Sequence, residues 1–313
     1  MPHDHDPDHD HDHGHGHGHV HAPRTFGRAF ATGAALNIAL VVAQIACGLI
    51  AGSTALLADA VHNAGDVLGL LLAWGAFLLG RRAPTAQRTY GWGRGTILAA
   101  LINAVVLLVG VGAIALESLQ RLSAPGEVAS TLVVWAAGAG IVINGFTAWL
   151  FVGGGQDLNV RATFLHMAGD TAVSAGVVVA ALVIGATGWS WLDPAVGLAI
   201  AALIGLSSWN LLREAMNLAL DAVPARIAPA AVRAWLAALP GVAEVHDLHI
   251  WALSTTEVAL TAHLVRGPGV DDQGLIRAAE AGLAERFRIG HATLQIETAA
   301  SAADCHLRPP GIV

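Results

Sequence analysis

The chain has 313 residues, of which 55% are hydrophobic and only 12% charged, with a mean hydropathy of +0.59. A soluble domain carries about 25% charged residues, so composition excludes a single water-soluble globule. The formal charge is −7 and lysine is absent, and no nucleic acid partner is expected.

Residues 1–25 form a low-complexity arm, "MPHDHDPDHDHDHGHGHGHVHAP" and its flank. It holds nine of the sixteen histidines: His3, His5, His9, His11, His13, His15, His17, His19 and His21. Histidine alternating with Asp and Gly has nothing to bury, so the arm is expected to be disordered when metal-free. The alternation differs from the contiguous run of a cloning tag. Capture of metal ions is the functional reading, and a dispensable tail is the alternative. The first 22 residues lack the basic-then-apolar order of a cleavable signal peptide.

Six apolar runs follow, at 30–51, 54–80, 93–119, 130–152, 159–186 and 191–219. Each is near or above the ~20 residues that a helix needs to cross hydrocarbon. Turn chemistry separates them, as in "RRAPTAQRTYGWGR", "SAPGEV", "GGGQDLN" and "ATGWSWLDP". Residues 26–220 are therefore predicted to be an all-α, six-helix membrane domain. Arginine sets its orientation. Arg81, Arg82, Arg88, Arg94 and Arg161 lie in even-numbered connections, with Arg24 and Arg28 before the first span and Arg213 at the end of the last. Odd-numbered connections hold only Arg121. Positive charge stays on the cytoplasmic side, so both termini are expected there, in the cell (inner) membrane.

Two of the runs carry the same pattern. "ADAVHNAGDVLGL" places His62 four residues before Asp66, and "FLHMAGDTAVSAG" places His166 four before Asp170. That spacing puts each pair on one helix face. At 1.5 Å per residue, His62 and Asp66 lie about 12 and 18 Å below the outer surface, and His166 and Asp170 roughly 20 and 14 Å. Ionisable groups at the bilayer centre cost ~2.5–3.5 kcal/mol each on insertion scales, so four at one depth require a compensating role. Two imidazoles and two carboxylates form a set suited to tetrahedral Zn²⁺. Unrelated polar residues tied to backbone are the bland alternative. Asp59, one turn before His62, either lines a proton or metal path or is solvated at the outer end. Asp193, before Pro194, reads as a helix cap.

Residues 221–300 read as a soluble α/β unit. A helix at 227–238 precedes "AEVHDLHIWAL" and "EVALTAHLVRG", and an amphipathic helix at 271–287 precedes "ATLQIET". His249 and His263 fall in adjacent predicted strands, His291 opens the last strand and Glu297 ends it. Residues 301–313 form a tail with Cys305 and His306. Two cysteines, Cys47 in a span and Cys305 in the tail, make no disulfide framework.

With "LLADAVHNAGDV", "NVRATFLHMAGD", "RTYGWGR", "DLHIW" and "TLQIE", the chain resembles the cation diffusion facilitator family in its zinc/cadmium/cobalt-resistance branch, over about residues 26–300. The resemblance implies a transport site of His62, Asp66, His166 and Asp170. It implies Zn²⁺ export from the cytoplasm in exchange for protons, by a homodimer alternating between inward- and outward-open states. It makes the C-terminal unit a ferredoxin-like cytoplasmic domain in which His249, His263, His291 and Glu297 match positions that bind regulatory zinc; solvated polar residues on a sheet face are the alternative. His246 fits the pattern less well and is read as a surface residue. Some relatives bind metal through a Cys motif near the position of Cys305 and His306, although a single Cys is a weaker site than a pair. The loop after the second span has no His, Asp or Glu, so a metal site found there in some relatives is expected to be absent.

The chemistry points the same way. Metal displaces protons from imidazole, so a His/Asp site that binds either one is an antiport element. Two imidazoles favour Zn²⁺, Co²⁺, Ni²⁺ or Cu²⁺ over Mg²⁺ and Mn²⁺, and Cd²⁺ belongs to the same branch of the family. The competing classes are a membrane metal sensor and an intramembrane metalloenzyme. No HExxH motif occurs, and no P-loop sequence for an ATP-driven pump.

Overall fold

In the computed structural model, residues 28–80, 82–151 and 158–308 are described; the nine arm histidines lie outside them. Six helices coincide with the six apolar runs: α1 Arg28–Ala51, α2 Thr54–Gly80, α3 Gly95–Ser123, α4 Ser130–Phe151, α5 Leu158–Thr187 and α6 Leu192–Ala219. At 22 to 30 residues each, they are about 33–45 Å long, enough to cross a bilayer. Five are long and apolar enough over their described residues, and α4 adds an apolar stretch at Ser130–Phe146.

The chain divides into two compact units. The first comprises residues 1–60 and 117–200, the second residues 61–116 and 201–313. In the first, α4 packs against α5 and α1. The start of α2 is built with care. Ser53 caps it by accepting the Leu56 N–H at 3.0 Å. Asp193, at the start of α6, accepts the Thr54 N–H at 2.6 Å and the hydroxyls of Thr54 and Ser53 at 2.9 and 2.5 Å. The expected cap is thus real, but Asp193 caps α2 rather than its own helix. Gly197 permits the approach, since a Cβ there would lie 3.0 Å from the Thr54 carbonyl carbon. Arg121 bonds Glu117 at 2.7 Å and the Gly52 carbonyl, tying the end of α3 to the α1–α2 turn.

The second unit contains the rest of α2, α3 and α6 and the C-terminal elements: α7 Pro229–Ala237, β1 Val242–Ala252, β2 Val258–Arg266, α8 Asp272–Phe287, β3 His291–Glu297 and α9 Ala299–Ala303. The sheet order is β1-β2-β3, with β1 antiparallel and β3 parallel to β2. This α-β-β-α-β run is ferredoxin-like. Val258, Leu260, Ala262 and Leu264 of β2 alternate into a core with Val232 and Leu236 of α7 and Ala279 and Leu283 of α8. Asp271 caps α8 through the Gly274 N–H at 2.8 Å. The β1–β2 turn reaches α3, where the Thr255 N–H bonds Thr96 Oγ1 at 2.9 Å. Arg94, before α3, pairs with Asp221, after α6.

Candidate functional sites

The four membrane ligand candidates fall as two half-sites, one in each compact unit. His62 and Asp66 lie one turn apart on α2, in the second unit. His166 and Asp170 lie one turn apart on α5, in the first, with His166 Nε2 3.7 Å from Asp170 Oδ2. Asp170 is buried while the His166 side chain is about half exposed. The i, i+4 spacing therefore gives the face sharing expected of it. Asp59 is fully buried, which overturns the solvated reading. It accepts from Gln44 Nε2 at 2.9 Å and from Ser174 Oγ at 3.1 Å.

A second cluster lies on the face of the C-terminal sheet opposite α7 and α8. His246, His263, Glu297 and Cys305 each bring a ligand atom within 4.8 Å of the others. His246 Nε2 is 3.3 Å from Glu297 Oε2, His263 Nδ1 is 3.1 Å from Glu297 Oε1, and Cys305 Sγ is 3.6 Å from His263 Nδ1. Ligands on a tetrahedral Zn²⁺ at bond lengths of about 2.0–2.3 Å are about 3.3–3.7 Å apart, so these separations are close to the edges of one coordination polyhedron. His246 is buried and makes no well-formed hydrogen bond: its Nε2 faces Glu297 Oε2 at 3.3 Å and its Nδ1 lies 3.6 Å from Glu244 Oε1. Buried groups so poorly satisfied are costly unless something else binds them. The donor set fits a metal ion, and a thiolate with two imidazoles selects the zinc-like metals.

Register explains which residues arrive. His246 pairs directly with His263 across β1 and β2, while His249 pairs with Thr261. Between those pairs β1 carries an extra residue, a bulge at which Asp247 adopts φ +49°. The bulge lets Asp247 join its neighbour's face. Its Oδ2 is 3.5 Å from His263 Nε2 and its Oδ1 is 2.9 Å from His249 Nε2. With His263 Nδ1 turned to the cluster, Asp247 stands where an outer carboxylate orients a ligating imidazole.

Three expectations are corrected here. His246, read as a surface residue, is 4% exposed and central to the cluster. His249 lies outside it and supports Asp247 instead. His291 is exposed, at the opposite end of β3 from Glu297 and six positions before it, with its ring edge-on to Tyr90 at 5.4 Å. Of the tail pair, Cys305 enters the cluster and His306 is exposed. Asp247 was missed altogether, although it lies inside the "DLHIW" string.

The tail reaches the cluster because it folds back. Thr298 and Ser301 form a capping box on α9, Ala302 is buried, and Arg308 grips Glu244 of β1 at 2.7 and 3.0 Å. That grip holds the Glu244 carboxyl below the ordinary carboxylate range, chiefly through the hydrogen bond from Arg308, and raises the Arg308 guanidinium in turn.

Comparison with known proteins gives a consistent picture. The family model described as "Cation efflux transmembrane domain" matches residues 31–218, and the one described as "Cation efflux protein, cytoplasmic domain" matches residues 224–299. The zinc transporter ZitB of Escherichia coli is 34% identical over 282 residues, 89% of each chain. The metal cation efflux system protein CzcD of Cupriavidus metallidurans is 33% identical over 267 residues, 85% of this chain and 84% of that one. A Bacillus velezensis protein named cadmium, cobalt and zinc/H(+)-K(+) antiporter is 32% identical, covering 82% of this chain and 84% of its own. Among solved structures, the metal-bound C-terminal domain of CzcD is 38% identical, covering 23% of this chain and 99% of that chain, with a TM-score of 0.22. These named relatives are transporters rather than enzymes.

Proposed function

Because the chain belongs to the cation efflux (cation diffusion facilitator) family and is an integral membrane protein, we propose that it exports Zn²⁺, with Cd²⁺, Co²⁺ and Ni²⁺ as further substrates, from the cytoplasm in exchange for protons. His62 and Asp66 of α2 and His166 and Asp170 of α5 bind the ion. The observation that carries this reading is the repeated His-x-x-x-Asp face on two membrane helices, with Asp170 buried beside His166. Neutral imidazole and ionised carboxylate bind the metal, and protonation of the same atoms releases it. One site that cannot hold both loads couples the two gradients. A homodimer alternating between inward- and outward-open states, with both termini cytoplasmic, completes the reading. The His-rich arm, outside the described residues, raises local metal concentration at the entrance.

In the C-terminal domain, His246, His263, Glu297 and Cys305 bind a regulatory zinc ion. Support comes from the convergence of four donors within 4.8 Å of one another and from the buried His246 nitrogens, which lack well-formed hydrogen bonds. Bound there, the metal joins β1, β2, β3 and the tail.

Zinc flux into everted vesicles tests the transport reading. Uptake should require an acid-inside gradient, dissipate that gradient as protons leave, and fall when a protonophore collapses it. Gradient-independent binding with no accumulation would instead favour a sensor.

A further inference from the structure

Asp59 belongs to neither ligand set, yet its surroundings are as ordered as any in the helices. It lies on α2 three residues before His62 and is fully buried, as are Gln44 of α1 and Ser174 of α5. Gln44 Nε2 donates to Oδ2 at 2.9 Å, and Ser174 Oγ is 3.1 Å from both carboxylate oxygens. Ser174 lies four residues beyond Asp170. The Asp59–Ser174 bond therefore joins the two ligand-bearing helices about one turn, ~5.4 Å, from a ligand on each. A fourth helix makes room for it. A Cβ at Gly140 of α4 would lie 3.0 Å from Gln44 Nε2 and 3.2 Å from Ser174 Oγ, so glycine is needed for α4 to close over the donors.

We propose that Asp59, with Gln44 and Ser174, is a positioning residue of the transport site, fixing the height and rotation of α2 and α5 beside the ligands they carry. This rests on the reading of His62, Asp66, His166 and Asp170 as that site. Bonds to a charged acceptor are roughly twice as strong as neutral ones, so the carboxylate holds its donors more firmly than an amide would. In a region where an uncompensated carboxylate is costly, both donors must stay engaged. A metal site tolerates ligand displacements of only about 0.5 Å, so a tie one turn away controls affinity. The anchoring of α2 as a helix is met elsewhere, by Asp193 at its first residues. Asp59 is thus left to set alignment.

The test uses the purified full chain in proteoliposomes at a fixed pH gradient, with initial rates measured against Zn²⁺ and Cd²⁺ concentration and metal-free melting run in parallel. Asp59→Asn and Ser174→Ala should each raise the half-saturating Zn²⁺ concentration several-fold, through displacement of the ligands on α2 and α5. Maximal rate per inserted protein should stay within about twofold, and the Zn²⁺/Cd²⁺ ratio should shift. The double variant should fall short of the sum of the two single effects, because both changes weaken the same Asp59–Ser174 bond. Gly140→Ala, which crowds the donors and leaves the carboxylate intact, should move half-saturation the same way. If Asp59→Asn fails to insert, the other two variants decide. Half-saturation unchanged in the inserted variants, with any loss following only the folded fraction, would overturn the positioning role. Asp66→Ala and Asp170→Ala run alongside separate the two ideas. Transport surviving in those variants sinks the site itself, whereas its loss with normal half-saturation in Asp59→Asn sinks only the positioning.

Discussion

In α1–α6 the interior is largely alanine and the exterior is large and apolar. Ala55, Ala60, Ala104 and Ala137 are buried, whereas Ile50, Trp135 and Leu206 are each more than 70% exposed. In the C-terminal domain the order reverses, with Leu236, Leu260, Leu264 and Leu283 completely buried. The difference reflects the solvent. Lipid tails are as apolar as leucine, so large side chains gain nothing by leaving them, and small residues let backbones approach. In water, burying the leucines drives folding. Polar ties then take different parts. In the helices, Asp59 and Asp193 hold elements together; in the domain, the apolar core does so and the polar cluster is free to bind an ion.

The largest expected effect lies on the membrane side. Asp66→Ala or Asp170→Ala should reduce zinc transport to background while leaving the protein in the membrane, as read by vesicle flux against quantified inserted protein. Next comes the contrast in cores. Leu283→Ala should cost the C-terminal domain about 2–5 kcal/mol in chemical unfolding, the range for a buried leucine. Leu206→Ala on the lipid-facing side of α6 should cost under about 1 kcal/mol, because both its environments are apolar. Equal costs would erase the proposed difference in driving force.

The third prediction sharpens the metal cluster. His246→Ala should weaken zinc binding by the C-terminal site of the full chain about 10–100-fold or more, and His291→Ala should leave it near wild type. Titration calorimetry on a chain lacking residues 2–22 separates this site from the arm. The reverse ranking would restore His291 as a ligand.

The smallest effect is on pH. The Glu244 carboxyl is lower in the folded chain than when free, so its pairing with Arg308 stabilises tail docking above the ordinary carboxylate value. That contribution disappears as pH falls through the lowered folded value. Protection of the amides of residues 299–308, taken relative to their intrinsic exchange rates, should therefore be high near neutrality and fall in acid below the range where carboxylates ionise. Glu244→Gln should exchange faster at neutral pH and remove this pH step.

The two regions also differed in how far they could be read in advance. Six apolar runs gave six helices at nearly the same residues, because hydrophobic length and turn chemistry act locally. The His62/Asp66 and His166/Asp170 faces follow from helical spacing alone. In the C-terminal domain the strands and helices were equally plain, but their register was not. A regular hairpin extended from the His249–Thr261 pair would set Asp247 opposite His263; the bulge at Asp247 moves the pairing by one and brings His246 there instead. One residue of slip changes which side chains share a face. The return of Cys305 depends on packing of α9 and on the Arg308–Glu244 pair, contacts that no local pattern announces.

The fold-back of the tail has a topological consequence. Cys305 follows His246 by 59 positions, so an ion held by both closes a loop from the middle of β1 through β2, α8, β3 and α9. Such a closure works like a reversible disulfide: it removes freedom chiefly from the unfolded chain, and more for longer loops. A crosslink made of metal responds to free ion concentration, strengthening as RT ln(1 + [L]/Kd) when zinc rises. With zinc bound there as proposed, the domain's resistance to unfolding and proteolysis should rise with free zinc concentration.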